Sequence, residues 1–435
     1  MCKSLLFLEK FFTSLNEEQI PLVSLRYKPY TEEMAFSGDY DYVCASKDLN
    51  AIFQTLFTLA TQMQVNFTID RVKYGKSMIR IYDDSNDESI LLEIWNYLDL
   101  KSENTLKYMF WEDIEQEVVT NEQGEFHFTV AFEALFYLSH LYTKNKDLSV
   151  ELIQKRLRYY IEALKNENES SLVTLYERLL CEPSRLKESA NEANELLVQR
   201  GLLFRKDDAI RVAKAKEIQI NRAKSRLYAQ LLKKRRVTPV VGPDGVGKTS
   251  IIESLQSRAK KKLKMYRFKK LFRHTILYKI AALFLKKEED KKLEKNQYDD
   301  KYGKWMFTIA LVRFPLFMLS ISFSKKFYFS DRYFHDLLIK NARFMEREAT
   351  LREGWQTLLK KSPNTFWFIH LDAPNDVILS RKQELSSQAI DCYREKIFAM
   401  YLLRPSLLYS YVNTSLALPK CTEALYSSAK VVGIK

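Results

Sequence analysis

Eight consecutive residues, Gly242-Pro243-Asp244-Gly245-Val246-Gly247-Lys248-Thr249, have the spacing GxxxxGK[ST]. The chain has ten glycines, and three of them fall within these eight positions. Glycines let successive backbone N–H groups turn inward on phosphate oxygens with no Cβ in the way. The expected ATP-binding set is Gly242, Gly245, Val246, Gly247, Lys248, Thr249 and Ser250. Lys248, expected in solvent-facing space, would reach the β- and γ-phosphates, and the Thr249 hydroxyl would ligate Mg²⁺. The following "TSIIESLQSRAKK" reads as a helix whose N-terminus adds a partial positive charge.

A phosphate loop specifies nucleotide binding, not a reaction. "FSDRYFHD" puts Asp331, Arg332 and Tyr333 at the end of an apolar strand, where α/β sheets bind ligands. A carboxylate there can hold the Mg²⁺ shell or orient an acceptor, and an adjacent arginine can clamp a phosphate. In "LDAPNDVILSRK", Asp372 reads as a helix cap and Pro374 as a first-turn residue. Arg381 and Lys382 follow two turns later, placed to close over a transferring phosphate.

A second acidic pattern lies near the N-terminus. In "SGDYDYVC", Asp39 and Asp41 alternate along a strand, which puts both carboxylates on one face. Such pairs hold Mg²⁺ in nucleotidyl transfer. Glu93, in "LLEIWNY", is the candidate third ligand from a neighbouring strand.

These groups need elements to position them. Residues 1–110 mix helical stretches ("FLEKFFTSLNEE", "LNAIFQTLFTLATQM") with strands ("DYDYVCAS", "SMIRIYDD", "SILLEIWNYL"), which predicts a small α/β unit. Residues 111–236 read as helical without strands. They end in a basic connector, since Gly201 to Val240 holds twelve Lys/Arg against three acidic residues. From 237 to 435, "VTPVV", "KFYFS", "TFWFIHL" and a last strand in "AKVVGI" alternate with helices. The fold class predicted there is α/β, a parallel sheet covered on both faces.

A chain of 435 residues has room for two or three domains. The net charge is +14 and the isoelectric point near 9.2, which fits phosphate-rich partners. The five cysteines show no CxxC pair, so neither a disulfide framework nor a zinc site is expected, and a reducing cytoplasm is the natural compartment. "WMFTIALVRFPLFMLSISF", residues 305–323, carries Arg313 and Pro315 at its centre. It is read as a buried helix pair rather than a membrane span.

GPDGVGKT, DRY and LDAPNDVILSRK together resemble the thymidylate kinase family, over roughly residues 238–435. The resemblance is to a bacterial branch in which such a kinase is fused to an N-terminal domain. It implies kinase roles for Lys248, Thr249, Asp331, Arg332 and Arg381, with Asp244 facing the acceptor and Tyr333 near it. The chain lacks the family's Arg-Glu-Pro acceptor motif, for which Arg273 and His274 are the candidate replacements. Its lid after Arg381 is short, and residues 305–323 occupy the region where the family binds thymine. Residues 15–100 resemble the nucleotidyltransferase superfamily through Asp39, Asp41 and Glu93. The superfamily's Gly-Ser turn is missing from "LRYKPYTEEM".

The function expected is transfer of the γ-phosphoryl of ATP·Mg²⁺ to a small-molecule acceptor, a nucleoside monophosphate or a sugar or glycolipid phosphate. The alternative is a nucleotide-binding regulatory protein whose N-terminal domain is a nucleotidyltransferase acting on a partner. A nucleic-acid-end kinase is disfavoured because no aromatic-studded single-strand platform is seen. A peripheral membrane contact and a homodimer are left open.

Overall fold

The computed structural model describes residues 3–25, 40–82, 89–101, 105–121, 124–258, 263–271, 279, 283, 295–324, 326–339 and 353–431. Asp39, Arg273 and His274 lie outside the described residues, as does the "DSND" stretch of the turn after "SMIRIY".

Helix α1 (Lys3–Glu17) leads into β1 (Val23–Ser24), β2 (Tyr40–Val43) and α2 (Leu49–Met63). Three strands follow, β3 (Asn66–Asp70), β4 (Lys76–Tyr82) and β5 (Ser89–Trp95), then a short pair, β6 (Tyr97–Asp99) and β7 (Tyr108–Phe110). A helical region comprises α3 (Trp111–Ile114), α4 (Val130–Thr143), α5 (Glu151–Asn166), α6 (Ser170–Cys181), α7 (Leu186–Gln199) and α8 (Ala209–Arg235). It is not purely helical: β8 (Val118–Thr120) and β9 (Phe126–Phe128) form a small antiparallel hairpin.

The C-terminal part runs β10 (Val237–Val241), α9 (Lys248–Arg258), β11 (Leu263–Tyr266), α10 (Lys295–Ser322), β12 (Phe327–Ser330), α11 (Phe334–Ile339) and α12 (Glu353–Lys361). It continues through β13 (Trp367–Asp372), α13 (Asn375–Arg381), α14 (Ser387–Leu403), β14 (Leu408–Asn413) and α15 (Leu418–Val431). The expected last strand in "AKVVGI" is corrected: Ala429, Lys430 and Val431 end α15, and residues 432–435 lie outside the described set.

The two α/β parts are one sheet. Its ten strands run β1-β2-β5-β4-β3-β14-β13-β10-β12-β11. The C-terminal ladders β14–β13, β13–β10, β10–β12 and β12–β11 are parallel. The join is antiparallel, β3 on β14, with Leu408 opposite Asp70 and Tyr411 opposite Phe67. One core follows the sheet across the join, packing Phe53, Phe57 and Phe67 with Phe398, Tyr409 and Tyr411. The opposite face of the C-terminal strands packs Val240, Ile251, Leu371 and Ile378. Val240 and Val241, both fully buried, point into these two different cores, as a strand covered on both faces requires.

Helix α8 runs along both parts. Arg222 donates to the Tyr97 hydroxyl and to Asp99, each at 2.8 Å, and Arg235 donates to the Asn364 carbonyl at 2.9 Å. The connector is therefore a packed strut.

Residues 305–323 are also corrected. Residues 305–322 lie in one continuous helix, α10 (with Pro315 inside it), rather than in a pair, and Phe323 follows its end. Pro315 gives up one backbone donor yet the helix continues, because Phe307, Ala310 and Phe314 on its inner face are fixed in the core. The stretch Lys304–Ile321 is long and apolar enough to cross a membrane by length and composition, and 33% of it is buried in the protein.

Candidate functional site

The glycine loop, residues 242–249, joins β10 to α9, at the carboxyl edge of the parallel strands. Its conformation needs glycine. Gly242 has φ 149°, and a Cβ there would stand 2.4 Å from the Leu371 carbonyl oxygen. Gly245 has φ 94° and faces Ile378 and Lys382, so β13 and α13 close directly over the loop.

Lys248 does not stand in solvent, which corrects the expectation. Its side chain is 12% exposed and donates to the carbonyls of Gly242 at 2.7 Å and Pro243 at 2.9 Å. Asp244 lies 3.6 Å away. Burial pushes its pKa down, while Asp244 and Asp336 oppose that shift. An ammonium folded onto carbonyl oxygens inside a glycine loop has the donors that phosphate oxygens would take over, so the residues fit a nucleotide phosphate. Thr249, the expected Mg²⁺ ligand, stands exposed at the start of α9.

Arg332, just past β12, reaches across to the loop. One guanidinium nitrogen contacts Asp244 Oδ1 at 2.6 Å and Oδ2 at 2.9 Å. Another lies 3.7 Å from Asp336 Oδ1. Burial pulls the Arg332 pKa down, but Asp336 and Asp244 raise it further, so the cation is secured.

Asp336 and Tyr393 were not anticipated. Asp336 is 1% exposed and accepts from the Tyr333 backbone N–H at 3.0 Å. The Tyr393 hydroxyl donates to Asp336 Oδ1 at 2.7 Å and accepts from the Gly242 N–H at 3.2 Å. A chain of hydrogen bonds thus runs from the first glycine of the loop to the acid beside Arg332. Burial raises the Asp336 pKa, and Arg332, Tyr393 and Lys248 hold it back. The only trace of this in sequence is an acid within the mostly apolar "YFHDLLI" stretch.

Asp331 is tethered differently. Its Oδ1 accepts from the Phe268 N–H at 2.9 Å, and its own N–H donates to the Tyr266 carbonyl at 3.1 Å. It thereby orders the exit of β11 beside the loop edge. Tyr333, expected near an acceptor, is core: 1% exposed, with its hydroxyl donating to the Pro363 carbonyl at 2.7 Å.

Arg381 sits at the end of α13 and donates to Thr414 Oγ1 at 3.1 Å and to the Thr414 carbonyl at 2.8 Å. A Cβ on Gly247 would lie 3.9 Å from its Nη1, so the guanidinium borders the loop. Thr414 Oγ1 in turn donates to the Val246 carbonyl at 2.7 Å. Asp372 is not a helix cap: Pro374 occupies that position with no side-chain cap bond. Asp372 is instead the buried partner of Arg394, at 2.5 and 3.1 Å, and accepts from the Tyr411 hydroxyl at 2.9 Å.

In the N-terminal part, β2 and β5 are parallel and Asp41 lies in register with Glu93. Glu93 is bound by Lys76, which also lies 4.4 Å from the Trp95 ring centroid. Among the described residues no group of three or more His, Cys, Asp and Glu side chains is placed to hold a metal.

No known family model matches the chain, and no curated protein matches it.

Proposed function

We propose that this protein is an ATP-dependent phosphotransferase whose active part is residues 237–435, acting in the cytoplasm. The acceptor is a phosphate-bearing small molecule, a nucleoside monophosphate or a sugar or glycolipid phosphate. The observation that carries the reading is the convergence of Lys248, Arg332 and Arg381 on one glycine loop at the carboxyl edge of a parallel sheet.

Three cations around a glycine loop can neutralise the charge that spreads over a phosphoryl group as it moves between oxygens. The bond from the γ-phosphorus to the bridging oxygen breaks, a bond to the acceptor phosphate oxygen forms, and ADP leaves. An acceptor phosphate is already ionised at neutral pH, so no general base is needed. Thr249 and Asp331 would hold Mg²⁺, which supplies further charge neutralisation at the phosphate oxygens. Asp244 keeps Arg332 aimed at the loop until a phosphate competes for it. Among the described residues Cys44, Cys181, Cys392 and Cys421 form no disulfide, which suits that compartment.

The register of Asp41 with Glu93 favours a second reading, a nucleotidyltransferase that modifies a partner. The Lys76–Glu93 pair weighs against it, because an occupied carboxylate is a poor metal ligand.

The test is an acceptor screen with γ-labelled ATP and the full chain, with nucleoside monophosphates, phosphosugars, polyprenyl phosphates and oligonucleotides side by side. Label on one of the phosphate-bearing small molecules is expected. ATP binding without transfer to any of them would replace the kinase reading with the regulatory one.

A further inference from the structure

Outside the loop site, a groove of about 640 Å³ runs along the sheet edge between β11 and α10. Its cations are Lys264, Arg267 and Lys270 from the β11 side and Arg313 from α10, and no carboxylate lines it among the described residues. Its floor is aromatic: Tyr266 stacks on Phe317 with centroids 4.3 Å apart, and Phe317 meets Tyr328 edge-on. Burial pushes the Tyr266 hydroxyl up to about 12, so at neutral pH the floor adds no negative charge.

The outer face of α10 continues this groove as apolar surface. Trp305 is 49% exposed, Val312 59%, Leu316 65% and, just past the helix end, Phe323 84%. At about 100° per residue, Trp305, Val312 and Leu316 fall within roughly 40° of one another around the helix. Leu316 also lines the groove, so cations and apolar stripe form one surface. The inner face is locked in the core, with Phe307 and Phe314 edge-on to Phe334. The helix therefore cannot leave the protein to span a bilayer, but it can lie on one.

We propose that this face docks on an anionic phospholipid bilayer. Val312, Leu316 and Phe323 enter the headgroup–acyl boundary, while Lys264, Arg267, Lys270 and Arg313 take the lipid phosphates. Amphipathic surfaces of this kind bind by apolar area together with attraction to anionic lipid. An unbroken set of cations beside an apolar stripe matches a surface that is itself charged above and apolar beneath. The inference rests on exposure and charge and stands apart from the phosphotransfer reading.

Co-sedimentation of the full chain, without nucleotide, compares neutral phosphatidylcholine vesicles with vesicles containing about one-third phosphatidylglycerol. Binding to the anionic vesicles is expected to exceed neutral binding at least about tenfold and to weaken with salt. Leu316→Glu with Phe323→Glu should abolish it. Lys264→Glu with Lys270→Glu should weaken it by more than about 20-fold, near fivefold for each cation removed. Lys224→Glu with Lys234→Glu, on exposed positions of α8, changes net charge equally and should leave binding within about twofold. Each variant is checked by its melting temperature, which surface positions should leave unchanged. Equal loss in the α8 variant would overturn the proposal by making the effect one of net charge. A dimer in sedimentation velocity that dissolves in the Leu316→Glu variant would assign the stripe to a second copy. Oligonucleotide binding lost in the groove variant, without vesicle binding, would assign the groove to nucleic acid.

Discussion

Arg332 and Asp244, 88 residues apart in the chain, meet with one guanidinium nitrogen on both carboxylate oxygens. The contact fastens the end of β12 to the glycine loop. A lysine would keep the charge but lose the planar fork that also reaches toward Asp336. Arg332→Lys should lower turnover about 100-fold at saturating ATP, with a smaller effect on nucleotide affinity. Matched losses in both, by phosphate release and nucleotide titration, would show that Arg332 serves binding only.

Lys248→Ala should abolish ATP turnover in a protein that still folds. The buried ammonium is held by two loop carbonyls, and its pKa is pushed down by burial. Removing it loses these bonds but also relieves the desolvation of a charge, so the melting temperature should stay within about 3 °C of wild type. A folded variant with undiminished turnover would sink the kinase reading.

The two acids of "DRYFHD" should separate chemistry from stability. Asp331→Asn keeps an acceptor for the Phe268 N–H, so stability should hold while turnover falls. Asp336→Ala strips the buried partner from Arg332 and Tyr393 and should cost about 3–5 kcal/mol of stability. Denaturant unfolding of both proteins makes the comparison, and the reverse ranking would exchange their roles.

Acid should destabilise the protein through two buried histidines. His335 and His370 are buried, and burial lowers their pKa values from 6.5 to about 3 and about 4. As pH falls through 6.5 the unfolded chain takes up these protons and the folded chain does not. Stability is therefore full above pH 6.5 and lost toward pH 4, by about 1.4 kcal/mol per pH unit for each histidine. His335→Phe, placed among Tyr333 and Phe368, should halve that slope in unfolding titrations. An unchanged slope would show that His335 does not contribute to it.

Asp41→Asn, with Asp39→Asn, should leave γ-phosphoryl transfer intact. Wild-type protein with α-labelled NTP should label neither itself nor a lysate partner. Label that disappears in the double variant would promote the nucleotidyltransferase reading.

The strands that flank the glycine loop, β10, β12 and β13, were legible as short apolar runs ending in chemically distinctive residues. The strand that joins the two parts was not. "LYSYVN" is fully buried yet half polar, because its polar groups satisfy one another and their neighbours: Trp367 Nε1 donates to Ser410 Oγ, Tyr409 bonds His370, and Tyr411 bonds Asp372. Hydropathy does not register a polar group whose partner is supplied by a distant strand. Tyr333 misled for the opposite reason, since its place in "DRY" suggested a ligand contact and its burial is visible only in three dimensions. Asp336 and Tyr393 entered the site through a hydrogen-bond chain between separate helices, which no spacing rule encodes.

The β3–β14 pairing bears on how the chain matures. Asn413 N–H donates to the Asn66 side chain, 347 positions earlier. On the ribosome, the N-terminal strands are finished long before β14 emerges, so β3 waits with an open edge for most of synthesis. An unpaired edge beside Phe67 and Ile69 is an aggregation hazard during that wait. A chain cut anywhere before residue 408 would keep that edge permanently, and premature termination would leave a sticky half-sheet rather than a smaller working protein.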